Sequence, residues 1–215
     1  MRLRKKPWIS EAIKEYTSFV YLEPDASWPG NWRSIFNNGN TELHVELGTG
    51  KGLFIATIAA KYPHINFVGI EAQRDVLYYA AKKVDEQGLT NVRLVLLNIN
   101  NLLEVFAENE VDCLYINFCD PWPKKRHAKR RLTHSLFLAK YKHVLKPQGK
   151  LFFKTDNEQL FEFSLNEFAA NGLTVVNVTY DLHNSIYAED NIPTEYELKF
   201  ISRGMKIYRC EVIFP

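Results

Sequence analysis

The sequence is poor in cysteine and has no cysteine pattern that could bind a metal. Its 215 residues include three cysteines, Cys113, Cys119 and Cys210, and no CxxC pair. An odd, widely spaced set argues against both a disulfide framework and a zinc site, and it is typical of a reducing compartment. We therefore expect a cytoplasmic protein with no structural disulfide and no bound metal.

Long apolar runs are also missing. No segment approaches the roughly 20 apolar residues that cross a bilayer as a helix. The basic N-terminus is not followed by the apolar core of a signal peptide. These absences favour a soluble protein with no membrane association.

Acidic residues are absent from two short segments that are rich in cations. The first six residues hold four Lys and Arg, and residues 124–131 hold six. These ten of the 27 cations leave 17 against all 25 Asp and Glu, although the formal net charge is only +2. Two basic patches on a mildly acidic body indicate a polyanion site, the alternative being a solvated helix face.

The hydrophobic pattern from residue 42 onward alternates strands with helices, which is typical of an α/β fold with a mostly parallel sheet. We predict seven strands with helices on both faces, an antiparallel hairpin at the end, and a site at the carboxyl ends of the strands. Residues 1–41 are predicted as a basic arm (1–9), a short helix capped by Ser10 (10–19) and a loop (23–41), and residues 42–215 as the main part of one structural domain. The predicted strands are 42–47, 65–70, 92–97, 111–118, 150–155, 173–180 and 206–214, and the predicted helices are 52–61, 72–88, 100–107, 130–145, 157–171 and one from Thr194.

A glycine-rich turn, EXGTGKG at 46–52, follows the first of these strands. It lacks the GxxxxGK[ST] pattern of a P-loop, and Leu53 stands where the dinucleotide fingerprint needs its third glycine. Gly48 and Gly50 would let the backbone approach a ligand. Glu46 would repel a pyrophosphate but suits a cationic, amino-acid-bearing ligand. The turn therefore favours S-adenosylmethionine over a nicotinamide cofactor.

Polar residues end the next two predicted strands. Glu71 suits a ribose diol, because a carboxylate accepts hydrogen bonds from both hydroxyls. Asn98 could pair with the adenine ring. The alternatives are that Glu71 is only an acidic residue at a helix N-terminus and that Asn98 caps the next helix.

The segment DPWP at 120–123 follows the fourth predicted strand and leads directly into the basic run. Asp120 could hold the N–H groups of a nucleobase and balance positive charge as it develops. Pro121 and Pro123 restrict the loop, so Trp122 would be either a stacking surface or a packing residue. Cys119 raises a rival covalent chemistry, which we disfavour because free cysteine is most often a small buried residue.

Five segments together resemble the bacterial tRNA (guanine-N7)-methyltransferases over almost the whole chain. They are EXGTGKG at 46–52, Glu71, NFxDPWPKKRHxKRR at 117–131, FKTDN at 153–157 and TEYE at 194–197. The resemblance implies a Rossmann-like methyltransferase that uses S-adenosylmethionine to methylate N7 of a guanosine in the tRNA variable loop.

The resemblance also implies roles for individual residues. The cofactor would contact Glu46, Gly48, Gly50, Glu71, Asn98 and Asp120, of which Asp120 is also the implied catalytic residue. The tRNA substrate would contact Lys124, Asp156, Thr194, Glu195, Tyr196 and Glu197, and its backbone would contact Arg126, His127, Ala128, Lys129, Arg130 and Arg131. The family usually has Asp at the position of Asn98, whose amide oxygen can still accept from the adenine amino group.

Other interpretations stay open at this stage. One is a methyltransferase of an exocyclic base amine, whose motif also begins Asp-Pro but then continues with Pro and an aromatic residue. Another is a non-catalytic RNA-binding module, in which the acids around the glycine turn would have no purpose. TEYE also reads as a capping box, and Asp156 as a helix cap. The partner implied is tRNA, with no obligatory protein partner, and either a monomer or a homodimer is compatible with the sequence.

Overall fold

A computed structural model describes residues 6–215 and divides into two compact units, Met1–Val105 and Phe106–Pro215. Residues 1–5 of the predicted basic arm lie outside the described residues. The predicted boundary between residues 41 and 42 falls inside the first unit. We call the two parts unit 1 and unit 2 and describe each by itself.

Within its described residues, 6–105, unit 1 contains four strands: β1 (Val20–Tyr21), β2 (Glu42–Leu47), β3 (Ile65–Glu71) and β4 (Val92–Leu96). They lie in the order β1-β4-β3-β2, and each neighbouring pair is parallel. β2 has the predicted bounds. The central strands are nearly continuous apolar runs, and Val45, Val68 and Leu94 are fully buried. Burying each such side chain stabilises the folded protein by about 1.5–3 kcal/mol.

The described part of unit 1 also contains four α-helices: α1 (Ile9–Ala12), α2 (Trp32–Phe36), α3 (Leu53–Lys61) and α4 (Arg74–Glu86). A 3₁₀ helix at Ile13–Tyr16 follows α1, and another at Ile99–Glu104 follows β4. The predicted cap at Ser10 is wrong, because the helix already begins at Ile9 and Trp8 occupies the N-cap position without a side-chain bond. The predicted loop 23–41 contains α2, whose Trp32 is buried and donates its indole N–H to the Val105 carbonyl at 2.7 Å.

Unit 2 contains four strands: β5 (Val111–Asn117), β6 (Leu145–Thr155), β7 (Thr174–Thr179) and β8 (Tyr208–Ile213). Their order is β5-β6-β8-β7. β5 and β6 are parallel, whereas β8 is antiparallel to both β6 and β7. The predicted antiparallel hairpin at the end of the chain is therefore confirmed.

Unit 2 contains three α-helices: α5 (Ser135–Val144), α6 (Glu158–Ala170) and α7 (Glu195–Ile201). The predicted helix 130–145 is wrong at its start. Residues Lys125–Arg130 form a separate 3₁₀ helix, and Arg131 is extended. The α5 N-terminus is instead capped by the His134 ring and by the Glu167 carboxylate, which accepts from the Ser135 N–H at 2.6 Å.

The described chain thus has eight strands alternating with helices, as the α/β prediction requires. The strand count of seven is wrong by one, because the two-residue strand β1 pairs with β4 through Val20 and Tyr21. No helix within residues 6–215 combines the length and apolarity needed to cross a membrane.

Candidate functional site

The glycine turn of unit 1 joins β2 to α3 through left-handed backbone. Gly48 and Gly50 have φ of 89° and 58°, a region that side chains with a Cβ rarely adopt. The N–H groups of Gly48 and Thr49 donate to the Ile70 carbonyl at 2.9 and 2.8 Å, which fixes the turn against β3. A Cβ placed on Gly48 or Gly50 would meet nothing within 4 Å, so this side of the turn is open to a ligand.

The end of the same turn is closed by packing. A Cβ on Gly52 would lie 2.7 Å from both Cα and Cβ of Ala80 in α4. A glycine is therefore required where α3 begins, because α4 crosses it too closely for any side chain.

Glu46 is the penultimate residue of β2 and is 3% exposed. One of its carboxylate oxygens, Oε2, accepts a hydrogen bond from the Thr49 hydroxyl at 2.6 Å. A buried carboxylate needs such partners, and here the glycine turn supplies one of them. The carboxylate is thereby fixed beside the open turn, where it can bind a cationic group.

Glu71 ends β3, and backbone N–H groups on two sides hold its carboxylate. Oε2 accepts from Gly50 N at 3.1 Å, and Oε1 accepts from Gln73 N at 2.9 Å. Each carboxylate oxygen can accept a further hydrogen bond. Glu71 is therefore both a brace for the glycine turn and an oriented acceptor that could bind a diol.

Asn98 lies two residues after the end of β4 and caps the following 3₁₀ helix. Its side-chain oxygen accepts from Asn100 N and from the Asn100 side chain, both at 2.9 Å. The capping alternative is thus correct, and a role toward adenine stays a prediction. Because β2, β3 and β4 are parallel, Glu46, Glu71 and Asn98 all lie at the carboxyl edge of the unit 1 strands.

The DPWP loop of unit 2 follows β5. Phe118 donates its N–H to the Lys154 carbonyl at 2.9 Å, and its ring lies 5.8 Å from that of Phe200 in α7. Asp120 is exposed. Trp122 has a φ of 41°, which is left-handed and uncommon outside glycine, and Phe118 has a φ of 55°.

The basic run forms an exposed 3₁₀ helix directly after this loop, with no buried residue. Its neighbour Lys124 and the helical residues Lys125, Arg126, Lys129 and Arg130 are exposed, whereas His127, Ala128 and Arg131 are half-buried. The Arg130 guanidinium lies 4.8 Å from the centre of the Trp122 ring, and the His127 ring meets that ring edge-on at 5.7 Å. The helix therefore presents its cations to solvent while packing on the loop.

Asp156 follows the last residue of β6, at the same edge as Asp120 because β5 and β6 are parallel. The next helix is capped by its neighbour, since the Asn157 side chain accepts from Leu160 N at 2.8 Å. The cap alternative for Asp156 is therefore wrong. Asp156 is half-buried at the strand end.

The TEYE segment is a capping box, as its pattern predicts. Thr194 Oγ1 accepts from Glu197 N at 3.1 Å, and Glu197 Oε2 accepts from Thr194 N at 3.4 Å. Tyr196 is 60% exposed, whereas Glu197 is completely buried.

Glu197 is held by Lys154, a residue that the sequence analysis did not select. Lys154 Nζ donates to Glu197 Oε2, to the Asn191 side chain and to the Ile192 carbonyl, each at 2.8 Å. Glu197 Oε1 accepts from Asn191 at 2.6 Å and lies 3.2 Å from His183 Nε2. The sequence does indicate such a pair, because a lysine in the apolar strand KLFFKT requires a buried partner. This cluster attaches the TEYE segment to the end of β6, two residues before Asp156.

Cys119 lies within the DPWP loop, next to Asp120. Burial, with the negative charges of Asp120 and Asp156 as smaller causes, raises the pKa of its thiol to about 12. A nucleophilic cysteine needs a lowered pKa and a thiolate. The environment therefore disfavours the covalent chemistry considered as a rival.

No group of three or more His, Cys, Asp or Glu that could hold a metal occurs within residues 6–215.

Comparison with known proteins gives consistent matches. A family model described as "Putative methyltransferase" matches residues 40–210. The tRNA (guanine-N(7)-)-methyltransferase of Halalkalibacterium halodurans is 50% identical over 100% of this chain and 96% of its own length. That of Geobacillus sp. is 48% identical over the same shares. Among solved structures, the 16S rRNA methyltransferase KamB has a TM-score of 0.67 at 14% identity, covering 92% of this chain and 99% of that one. This last likeness concerns the fold, which is the predicted Rossmann-like methyltransferase fold.

Proposed function

The chain belongs to the tRNA (guanine-N(7)-)-methyltransferase family, and we propose that it methylates N7 of a guanosine in the variable loop of tRNA, using S-adenosylmethionine. The observation that carries this proposal is in unit 2. There an exposed carboxylate, Asp120, lies at a strand edge and is followed five residues later by a helix of exposed cations. Such a surface can bind a base and the phosphates beside it. A cytoplasmic location is part of the same proposal, since tRNA is found there.

The cofactor residues belong to unit 1. S-adenosylmethionine, when bound, supplies a methyl group on a positively charged sulfur. We assign Glu46 to its cationic amino-acid end and Glu71 to its ribose hydroxyls. The open glycine turn would let the cofactor lie close to the protein backbone. The fit is supported by the fixed orientation of both carboxylates and by the open space at Gly48 and Gly50. Asn98 is assigned to the adenine.

The acceptor chemistry asks little of the protein beyond alignment. Guanine N7 carries a free lone pair, so no base has to remove a proton before attack. The product ring is cationic. Asp120 and Asp156, at one edge of the unit 2 strands, are suited to accept from the guanine N–H groups and to offset that charge. Alignment itself can supply an effective molarity on the order of 10⁵–10⁸ M.

The TEYE segment is assigned two kinds of role. The Glu197 carboxylate is buried and engaged with Lys154 and Asn191, so we assign it to positioning rather than to direct contact with guanine. Thr194 fixes the start of α7 through the capping box. Glu195 and the exposed Tyr196 then form the surface offered to the substrate, together with Lys124, which follows Asp120 by four residues.

The deciding experiment is methyl transfer from labelled S-adenosylmethionine to unmodified tRNA, followed by chemical cleavage at 7-methylguanosine. We expect all label at one guanosine of the variable loop. Label on an exocyclic amine would replace this function with the rival methyltransferase, and no transfer would favour a binding module.

The role of Asp120 is tested by two substitutions in the same assay. Asp120→Ala is expected to lower turnover by about 10²–10³-fold, and Asp120→Asn, which keeps the shape but removes the charge, by a similar factor. Cofactor affinity, measured by calorimetry, should stay within a few-fold. An equal loss of cofactor affinity would reassign Asp120 to the cofactor.

A further inference from the structure

The last residue of the basic run is engaged differently from the others. Arg131 is half-buried, whereas the four Lys and Arg residues of the preceding 3₁₀ helix, Lys125, Arg126, Lys129 and Arg130, are exposed. Its Nε donates to the Pro121 carbonyl and its Nη2 to the Trp122 carbonyl, each at 3.1 Å. Its guanidinium is thus directed into the DPWP loop.

These two carbonyls lie in the DPWP loop, one on each side of the Trp122 Cα. Pro121 and Pro123 have no N–H, so the loop offers few donors of its own. A backbone carbonyl withdrawn from water needs a partner. Arg131 supplies both bonds from one planar group, whose rigid fork of donors a lysine cannot reproduce.

The backbone between these carbonyls is strained. Trp122 has a φ of 41°. A non-glycine residue in the left-handed region costs on the order of 1–3 kcal/mol and persists only where its surroundings over-determine it. The Arg131 bonds to the carbonyls of residues 121 and 122 are such surroundings. The Arg130 guanidinium, which lies over the Trp122 ring, is another.

The position of Arg131 is itself fixed by α6. Its Cζ lies 4.2 Å from the centre of the Phe163 ring. Two residues further on, the Thr133 hydroxyl accepts from the Ser164 hydroxyl at 2.7 Å, and both residues are fully buried. Because α6 starts two residues after Asp156, the chain Phe163–Arg131–Trp122 connects the segment after β6 to the loop after β5.

We propose that Arg131 is a positioning residue that holds the DPWP loop, and with it Asp120, in the geometry for methyl transfer, and that it is not a ligand of tRNA phosphates. The inference rests on the proposed function, because turnover is what the loop geometry serves. It separates Arg131 from the neighbouring cations of the same run.

The test compares Arg131→Ala with Arg126→Ala, a matched loss of one arginine from an exposed position of the same run. Turnover and KM for tRNA are measured, together with the dependence of tRNA affinity on salt. Arg131→Ala should lower kcat by about 100-fold, the cost of a misplacement near 1 Å, with KM and the salt slope unchanged. Arg126→Ala, at an expected phosphate contact, should instead raise the KM for tRNA and flatten the slope by about 0.7–0.9.

Chemical rescue and a gentler substitution complete the test. Guanidinium ion added to Arg131→Ala should restore part of kcat, and it should do nothing for Arg126→Ala. Arg131→Gln keeps one side-chain donor, and it serves as the variant if Arg131→Ala fails to fold. An intermediate kcat with an unchanged salt slope is expected for it.

Two results would overturn the inference. One is a salt slope flattened as in Arg126→Ala, and the other is an unchanged kcat. Failure of the function itself looks different, because then the wild-type protein forms no 7-methylguanosine. The salt-slope comparison needs no turnover, so it still decides between a loop brace and a phosphate ligand in that case.

Discussion

The turn after β2 and the loop after β5 both contain left-handed backbone, but they stabilise it in different ways. Each follows a buried strand, each needs left-handed backbone, and each carries residues proposed for the reaction. The turn in unit 1 places glycines at its left-handed positions and satisfies its carboxylates with N–H and O–H groups of the turn itself. The loop in unit 2 has Phe118 and Trp122 at left-handed positions and depends on Arg131, 9 residues beyond Trp122.

The difference shows where each region can be broken. A turn built from glycine backbone should fail when a Cβ is added, because its conformation and its close packing both depend on the missing side chain. A loop held by distant side chains should fail when a partner is removed. Unit 2 repeats this second solution at Lys154, which joins the end of β6 to the segment 191–197.

The largest effect is expected for Lys154→Met. It leaves the fully buried Glu197 carboxylate without its cation, and breaking a buried pair in this way costs about 3–5 kcal/mol. The free energy of unfolding, measured in urea, should fall by that amount. The matched control is Lys146→Met, which removes a lysine from a partly exposed pair with Asp112 and should cost less than about 1 kcal/mol.

A double variant sharpens the same comparison. Lys154→Met combined with Glu197→Leu removes both charges, so its cost should be well below the sum of the two single costs. Additive costs would mean that the two side chains do not stabilise each other, and that side-chain bracing of the 191–197 segment is a wrong description.

The next effect is expected in unit 1, from Gly52→Ala. The new Cβ would lie 2.7 Å from the Ala80 backbone, at a φ of 83°. Overpacking and left-handed strain together should lower the free energy of unfolding by about 2–4 kcal/mol. Gly50→Ala is the control, because it has the strain but open space around it. A cost at Gly52 no greater than at Gly50 would exclude close packing as the reason for that glycine.

These two regions also show what the sequence could and could not predict. The bounds of β2, the glycine turn and the capping box at Thr194 were predictable, because each is encoded within a few neighbouring residues. The start of α5 was not, because it is set by Glu167, 32 residues away. The Lys154–Glu197 pair spans 43 residues. Likewise, the composition of residues 124–131 indicated a basic surface but could not show that Arg131 points into the loop.

A smaller effect is expected from two substitutions of one residue, Trp122→Gly and Trp122→Ala. Both remove the ring, so they differ mainly in how well they tolerate a φ of 41°. The free energy of unfolding of the glycine variant should be about 1 kcal/mol higher than that of the alanine variant. At the exposed helical residue Leu136 the order should reverse, with alanine about 1 kcal/mol more stable than glycine. The same order at both positions would contradict the left-handed loop.

The smallest effect concerns Cys119, whose thiol has a pKa raised from 9.0 to about 12, chiefly by burial. The contribution of the neutral thiol to the free energy of unfolding is fully present below pH 9. It is lost as the pH rises from 9 toward 12, because the unfolded chain releases the proton first. At pH 8 only roughly 10⁻⁴ of such a thiol is thiolate, so alkylation by iodoacetamide should be very slow. Cys119→Ser should keep methyl transfer within about twofold, since nothing in the proposed reaction uses a thiolate. Rapid alkylation at pH 8 together with loss of transfer in Cys119→Ser would instead indicate covalent chemistry in unit 2. The loop after β5 would then carry a nucleophile, which the turn after β2 does not have.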